Sequence, residues 1–230
     1  MTIGIIGAMD EEIALIKQEM TQLKETVVAN TLFVEGMLKG KRVVLLKSGI
    51  GKVNAAMATT IMHEQYRPAC VINTGSAGGV ASNLEVGDIV ISTSVIHHDV
   101  DATAFNYVYG QVPQMPFKFH TDNELAALTR AAANSFNIRT GEGVIATGDS
   151  FISDPVRVRE IQNRHSDVLA VEMEAAAIAQ VCYQYDVPFI VIRALSDIAG
   201  KESPVSFDTF LETAAQNASA LIFETVPHIE

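Results

Sequence analysis

Short β-branched runs alternate with helix-periodic segments along nearly the whole chain, and this alternation most limits how it can fold. "IGIIGA" reads as a buried strand. "DEEIALIKQEM" follows as a helix whose first-turn acids complement its dipole. Further strands are expected in "ETVVANTLFVEGMLKGKRVVLLKSG", joined at a "KGK" turn, and in "ACVINTG", "GDIVISTSVIHH", "IRTGEGVIATGD", "VLAVEM" and "PFIVIRALSD". Helices are expected in "KVNAAMATTIMHEQY", "NELAALTRAAANSF", "DPVRVREIQNRH" (with Pro155 near its first turn), "EAAAIAQVCYQY" and "SFDTFLETAAQNASALIFETV". The pattern predicts an α/β fold: a three-layer α-β-α sandwich around a twisted, mostly parallel mixed central sheet. No Pro/Gly/Ser linker, internal repeat or low-complexity tract interrupts it, so residues 1–230 are expected to form a single domain.

Composition narrows the partners. A hydrophobic fraction of 48% against 19% charged residues suits a compact core. No apolar run approaches the roughly 18–20 residues of a membrane span. "MTIGIIGAMDEE" lacks the basic start of a secretory signal. The formal net charge is −11, with the basic residues scattered, a surface that repels nucleic acid and anionic lipid. Small-molecule partners are therefore expected. Cys70 and Cys182 lie in apolar runs and read as buried thiols of a cytoplasmic protein. No Cys/His pairing has zinc spacing, so no metal is expected.

In open α/β sheets, sites collect at the carboxyl ends of strands. Those ends carry residues 9–12, 48–52, 74–79, 97–99, 147–154, 172–174 and 193–197. Three of them press carboxylates against apolar sequence. In "VLAVEMEAAAIAQVC", Glu172 and Glu174 sit amid residues suited to an interior, where an unpaired carboxylate costs several kcal/mol. "INTGSAGGV" offers backbone amides that can approach a phosphate or a sugar hydroxyl closely, or simply a tight turn. "RALSDIAG" delivers Ser196 and Asp197 at a strand end, with Arg193 on the same side as Asp197. A partly desolvated Asp197 suits proton donation, and the plainer alternative is a cap on the following turn. Glu11 and Glu12 are ordinary first-turn acids, except that the first strand should bring Glu12 to the edge that carries Asp197.

Six motifs in order, "IGIIGAMDEE", "GIGKVNAA", "NTGSAGG", "GDSFI", "VEMEAAAIA" and "RALSDIAG", closely resemble the bacterial 5′-methylthioadenosine/S-adenosylhomocysteine nucleosidases of the purine nucleoside phosphorylase superfamily. The resemblance implies a nucleoside phosphorylase-like fold and hydrolysis of an N-glycosidic bond, releasing adenine from a 5′-thio-substituted ribose without a cofactor. By motif matching, Asp197 is the acid at purine N7, positioned by Ser196. Glu12 is the base for water, Glu174 binds the ribose hydroxyls, and Arg193 holds the water and carboxylate network. Ser76, with Ala77 and Gly78 beside it, faces the sugar, and Met173 lines the same pocket. Phe151 stacks on adenine while the Ile152 backbone reads its Watson–Crick edge. Met9, Ile50 and Phe207 wall the 5′-thio group. Glu172 is left with a structural part.

The resemblance further implies a homodimer with residues 101–119 at its interface. Phe105, Tyr107 and Pro113 belong to that segment, and Phe105 and Pro113 reach the neighbouring subunit's thio pocket. The aromatic crowding of this segment also fits a satellite cluster under a long loop. Gly200 and Pro204 mark "IAGKESPVSFDTF" as a segment suited to a lid. Two other functions remain open on residues alone: phosphorolysis on the same fold, and nucleoside binding without turnover.

Overall fold

The computed structural model describes residues 1–136, 138–201 and 203–230. The expected lid segment falls partly outside these, at Glu202. The strands are β1 (Thr2–Gly7), β2 (Thr21–Val28), β3 (Thr31–Leu38), β4 (Lys41–Lys47), β5 (Cys70–Gly79), β6 (Ile89–His97), β7 (Phe119–His120), β8 (Thr140–Thr147), β9 (Val168–Glu172) and β10 (Phe189–Ile198). The helices are α1 (Asp10–Glu19), α2 (Lys52–Tyr66), α3 (Asn123–Ala133), α4 (Pro155–Arg164), α5 (Ala175–Gln184) and α6 (Ser203–Thr225). The α/β class read from the alternation stands, with helices on both faces of one mixed sheet.

Alternation along the strands sets the two faces. Ile3 and Ile5 of β1 pack with Ile13 and Ile16 of α1 and with Leu221 and Ile222 of α6. Ile6 joins Ala55, Ala58 and Met62 of α2 and Ala175 to Ala179 of α5 on the opposite side. Gly4 faces α2, and a Cβ there would lie 2.9 Å from the Met62 sulfur, so the close approach of helix and strand depends on glycine.

The strands run in the order β10-β6-β8-β9-β5-β1-β4-β3-β2, and β10 also pairs with β5. Strands β5, β10, β6, β8 and β9 therefore close into a ring, while β1, β4, β3 and β2 extend from it as an open sheet. Closure depends on β5. Its first half lies between β1 and β10. Gly78 and Gly79 instead pair antiparallel with Val171 and Ala170 of β9. The "GSAGG" run is thus not a turn at the end of a strand, as the sequence suggested, but the bend of a continuing one. Gly79 has room only because it lacks a Cβ, which would meet Leu195 Cδ1 at 2.8 Å.

Edge strand β2 starts at Thr21, earlier than the hydrophobic pattern indicates, because its first five residues are exposed and carry no apolar alternation. The 101–119 segment holds a 3₁₀ turn at Thr103–Phe105 and the short strand β7 at its end. Its aromatics divide. Phe119 packs edge-on to His97 and Tyr183, Phe117 lies against His165, and Arg164 covers the Tyr109 ring at 4.0 Å. Phe105 remains 77% exposed. Among the described residues, no helix is long and apolar enough to cross a membrane.

Asp122 caps α3 by accepting from the Glu124 and Leu125 amides, each at 3.0 Å. Replacing it with alanine should cost about 1 kcal/mol. For a chain of this size that lowers the melting temperature by roughly 2–4 °C, measurable by circular dichroism. An unchanged melt would show that water replaces the cap.

Candidate active site

The carboxyl ends of β1, β5, β9 and β10 meet the loops after β4 and β8 in one cleft of about 490 Å³, the space at its mouth included. Twelve of the residues given a site role by the resemblance line it: Met9, Glu12, Ile50, Ser76, Ala77, Gly78, Phe151, Met173, Glu174, Ser196, Asp197 and Phe207. Ala8, Val171 and Glu172 complete the lining. The walls are apolar at Met9, Ile50, Phe151 and Phe207, and the Phe151 and Phe207 rings meet edge to face with centroids 5.9 Å apart. The interior carries four carboxylates.

Glu12 occupies the third position of α1 and reaches back to the start of its own helix. Its Oε2 accepts from the amides of Ala8 (2.8 Å) and Met9 (3.2 Å). Its Oε1 accepts from the Ser76 amide (2.9 Å) and hydroxyl (3.0 Å), tying α1 to the bend of β5. Residue 75 must then be glycine. Its φ is +153°, and a Cβ there would lie 2.7 Å from Glu12 Oε1. The signal for this contact was the glycine itself, read from sequence only as a turn residue.

Glu172 is the charge that the sequence left unexplained. The Thr147 hydroxyl donates to its Oε1. Its Oε2 accepts from the amides of Glu174 (3.0 Å) and Ala175 (2.8 Å) and from Arg193 Nη2 (2.7 Å). Arg193, only 2% exposed, also donates through Nη2 to Asn73 Oδ1 at 2.7 Å. Arg193 thus lies behind the cleft wall rather than on it. Thr147 fell within the strand end 147–154 without a role, and Asn73 was given none either, since a buried Thr and Asn within strands carry no pattern.

Glu174 is the residue before α5, and its Oε1 accepts from the Gly51 amide at 2.8 Å. Burial first, then the Glu172 charge, push its carboxyl up to about 8, against the opposing pull of Arg193 and the Gly51 amide. Both effects favour the uncharged form of the Glu174 carboxyl. Asp197, also buried, lines the cleft at the end of β10, where the Ser196 hydroxyl donates to its Oδ1 at 3.1 Å.

Outside the cleft, Ile152 packs its side chain among Ile96, Val144 and Val158. Phe105 and Pro113 are exposed and Tyr107 half-buried, and none of the three lines this chain's own cleft. A polar node missed by the sequence reading joins three loops. Lys52 Nζ pairs with Asp99 at 2.6 Å, Asp99 accepts from the Asp149 amide at 2.9 Å, and Asp149 accepts from the Lys52 amide at 2.7 Å. It fixes the loops of Ile50 and Phe151 against each other.

A ring-closed mixed sheet with a carboxylate-lined cleft at its strand ends is the arrangement of a nucleoside-processing fold. Residues 2–227 match the phosphorylase superfamily. The chain belongs, within that superfamily, to the 5′-methylthioadenosine/S-adenosylhomocysteine nucleosidases. It is 59% identical over 229 residues to the enzyme of that name from Oceanobacillus iheyensis, covering 100% of each chain. It is 60% identical to that of Anoxybacillus flavithermus, covering 96% of each. The crystal structure of the Neisseria meningitidis nucleosidase in complex with methylthio-immucillin-A superposes with a TM-score of 0.98 at 47% identity, covering 99% of each chain.

The raised Glu174 carboxyl has a consequence for stability. Between the ordinary value of 4.5 and about 8 the folded protein binds the extra proton, so stability falls as pH rises through that window. The melting temperature of the ligand-free protein should decline across it, and Glu174→Gln should flatten the decline. A slope unaltered by the substitution would contradict the assignment.

Proposed function

We propose that this chain, as one domain, hydrolyses the N-glycosidic bond of 5′-methylthioadenosine and S-adenosylhomocysteine, giving adenine and the 5′-thio-substituted ribose. The observation that carries the choice of water over phosphate is the cleft's charge. Among its described lining residues there are four carboxylates and no Lys or Arg. A phosphate dianion needs cationic donors, and the nearby guanidinium is engaged by Glu172 and Asn73.

In this reading the purine lies against Phe151, with the Ile152 backbone at its Watson–Crick edge. The ribose lies over Met173 and the Ser76–Gly78 bend, and the thio group sits between Met9, Ile50 and Phe207. Glu174 ionises on binding and accepts from the ribose hydroxyls, which replace the Gly51 amide as its partners. Asp197, held by Ser196, gives its proton to N7. The C1′–N9 bond breaks with its electron pair passing into the purine, so adenine leaves neutral. The oxocarbenium-like ribose gains electrostatic support from the surrounding carboxylates. Water adds to C1′ and loses a proton to Glu12, a role supported by its Oε1 accepting from the Ser76 hydroxyl, which this reading puts at the sugar. The proton that Glu174 releases on binding passes to solvent and returns when product leaves, and exchange with solvent lets Glu12 release the proton taken from water while Asp197 regains the one given to N7. Arg193 keeps the carboxylate network in place.

The active form in this reading is a cytoplasmic homodimer. Ile50 at the cleft mouth is exposed, as are Val53 and Met57 of α2. Beside them, Val53, Val100, Val112 and Tyr185 share one apolar groove formed by α2, α5 and the 100–112 loop. A second copy seated there would bring its 101–119 segment, with Phe105, Tyr107 and Pro113, toward the thio end of the cleft.

Asp197→Asn should lower turnover of methylthioadenosine by about 10²–10⁴-fold, the range for loss of a general acid. Binding of the 7-deaza analogue, which lacks the N7 acceptor, should change by less than about tenfold, because only the transferred proton is lost. Near-normal turnover in the variant would refute Asp197 as the acid.

A further inference from the structure

The chemistry assigned above uses Glu12, Glu174 and Asp197, yet the cleft's remaining carboxylate, Glu172, is as heavily bonded as Glu12 and is the one paired with Arg193. Its two oxygens accept four donors from three elements: the Thr147 hydroxyl of β8, the Glu174 and Ala175 amides at the start of α5, and Arg193 of β10. Thr147 Oγ1 itself accepts from the Ala176 amide at 2.8 Å, so this pair of side chains satisfies three consecutive amides, those of Glu174, Ala175 and Ala176. The same carboxylate engages the guanidinium. Among the described residues Arg193 Nε and Nη1 have no hydrogen-bond partner, and the pairing through Nη2 keeps the charge in the interior.

We propose that Glu172, supported by Thr147, is a positioning residue for the reaction: it fixes the backbone that carries Glu174 and holds Arg193 behind the ribose site. The proposal rests on the functional reading given above. It assigns Glu172 more than stabilisation of the fold, because the first of its amide partners belongs to the residue that meets the ribose. A displacement of that backbone would move the Glu174 carboxylate relative to the hydroxyls it must accept.

A second consequence follows from charge. Glu174 faces Glu172, Glu12, Arg193 and the Gly51 amide. Replacing the Glu172 carboxylate with a neutral amide removes a nearby negative charge and leaves Arg193 without its counter-ion. Both changes favour ionised Glu174. Binding of a ribose diol to the carboxylate strengthens as Glu174 ionises, so in wild type the affinity should rise with pH toward about 8. In the variant that rise should occur at lower pH.

The test compares wild type, Glu172→Gln, Thr147→Val and Thr147→Ser, each scaled to folded protein by its near-ultraviolet circular dichroism. Two quantities are read: kcat/KM for methylthioadenosine, and the pH dependence of affinity for its 7-deaza analogue. The expected result for Glu172→Gln is a loss of about 10- to 100-fold in kcat/KM, with the binding midpoint shifted to lower pH. Thr147→Val should lose activity in the same direction, and Thr147→Ser, which keeps the hydroxyl, should restore it. This pair decides the matter if Glu172→Gln does not fold. Activity per folded molecule within about twofold of wild type in both Glu172→Gln and Thr147→Val would reduce the cluster to a fold-stabilising role and overturn the proposal. So would an unshifted midpoint in a folded Glu172→Gln. A wild-type protein that releases no adenine would instead overturn the functional reading itself, and the proposal with it.

Discussion

The buried pair of Arg193 and Glu172 is the constraint around which the cleft is organised. Two opposite charges removed from water cost several kcal/mol each unless their geometry is good and their remaining atoms are bonded. Here the carboxylate meets that condition, accepting from a guanidinium, a hydroxyl and two amides, while Arg193 reaches Glu172 and Asn73 through Nη2. Those partners come from β5, β8, β10 and the start of α5. Satisfying this buried pair thus sets the relative positions of those four elements, and the residues of the cleft ride on three of them. The arrangement also keeps the site acidic, since the nearest cation is committed to an acid rather than presented to a ligand.

The second constraint is the bend of β5. A strand that changes neighbours halfway along must pass close to other backbone and side chains, and Gly75 and Gly79 are where it does so. The bend brings the Ser76 amide and hydroxyl to Glu12. Ring closure of the sheet and assembly of the site are therefore one event. A side chain at position 75 would collide with the carboxylate that the functional reading places at the water.

Much of this was legible in sequence, for identifiable reasons. β1, β4 and β10 are buried and apolar along most of their length, and helices such as α1 and α2 carry plain boundaries. Reading only strand ends located Glu12, Glu174 and Asp197, because a carboxylate beside a buried strand is costly and so conspicuous. What resisted has physical causes too. Edge strand β2 opens exposed on both faces and leaves no alternation. The glycines of β5 look the same in a turn and in a bend. Thr147, Asn73 and Asp149 act through contacts between residues distant in sequence, which periodicity cannot register. Phe105 and Pro113 lie outside their own chain's cleft, so their assignment rests on resemblance.

The account turns on water, not phosphate, taking the ribose. The most direct measurement is incubation of the purified protein with methylthioadenosine in phosphate-free buffer and again with phosphate added, identifying the sugar product beside adenine. The account predicts adenine and free methylthioribose at the same rate in both. Methylthioribose 1-phosphate, formed only when phosphate is present, would contradict it and remove the part assigned to Glu12.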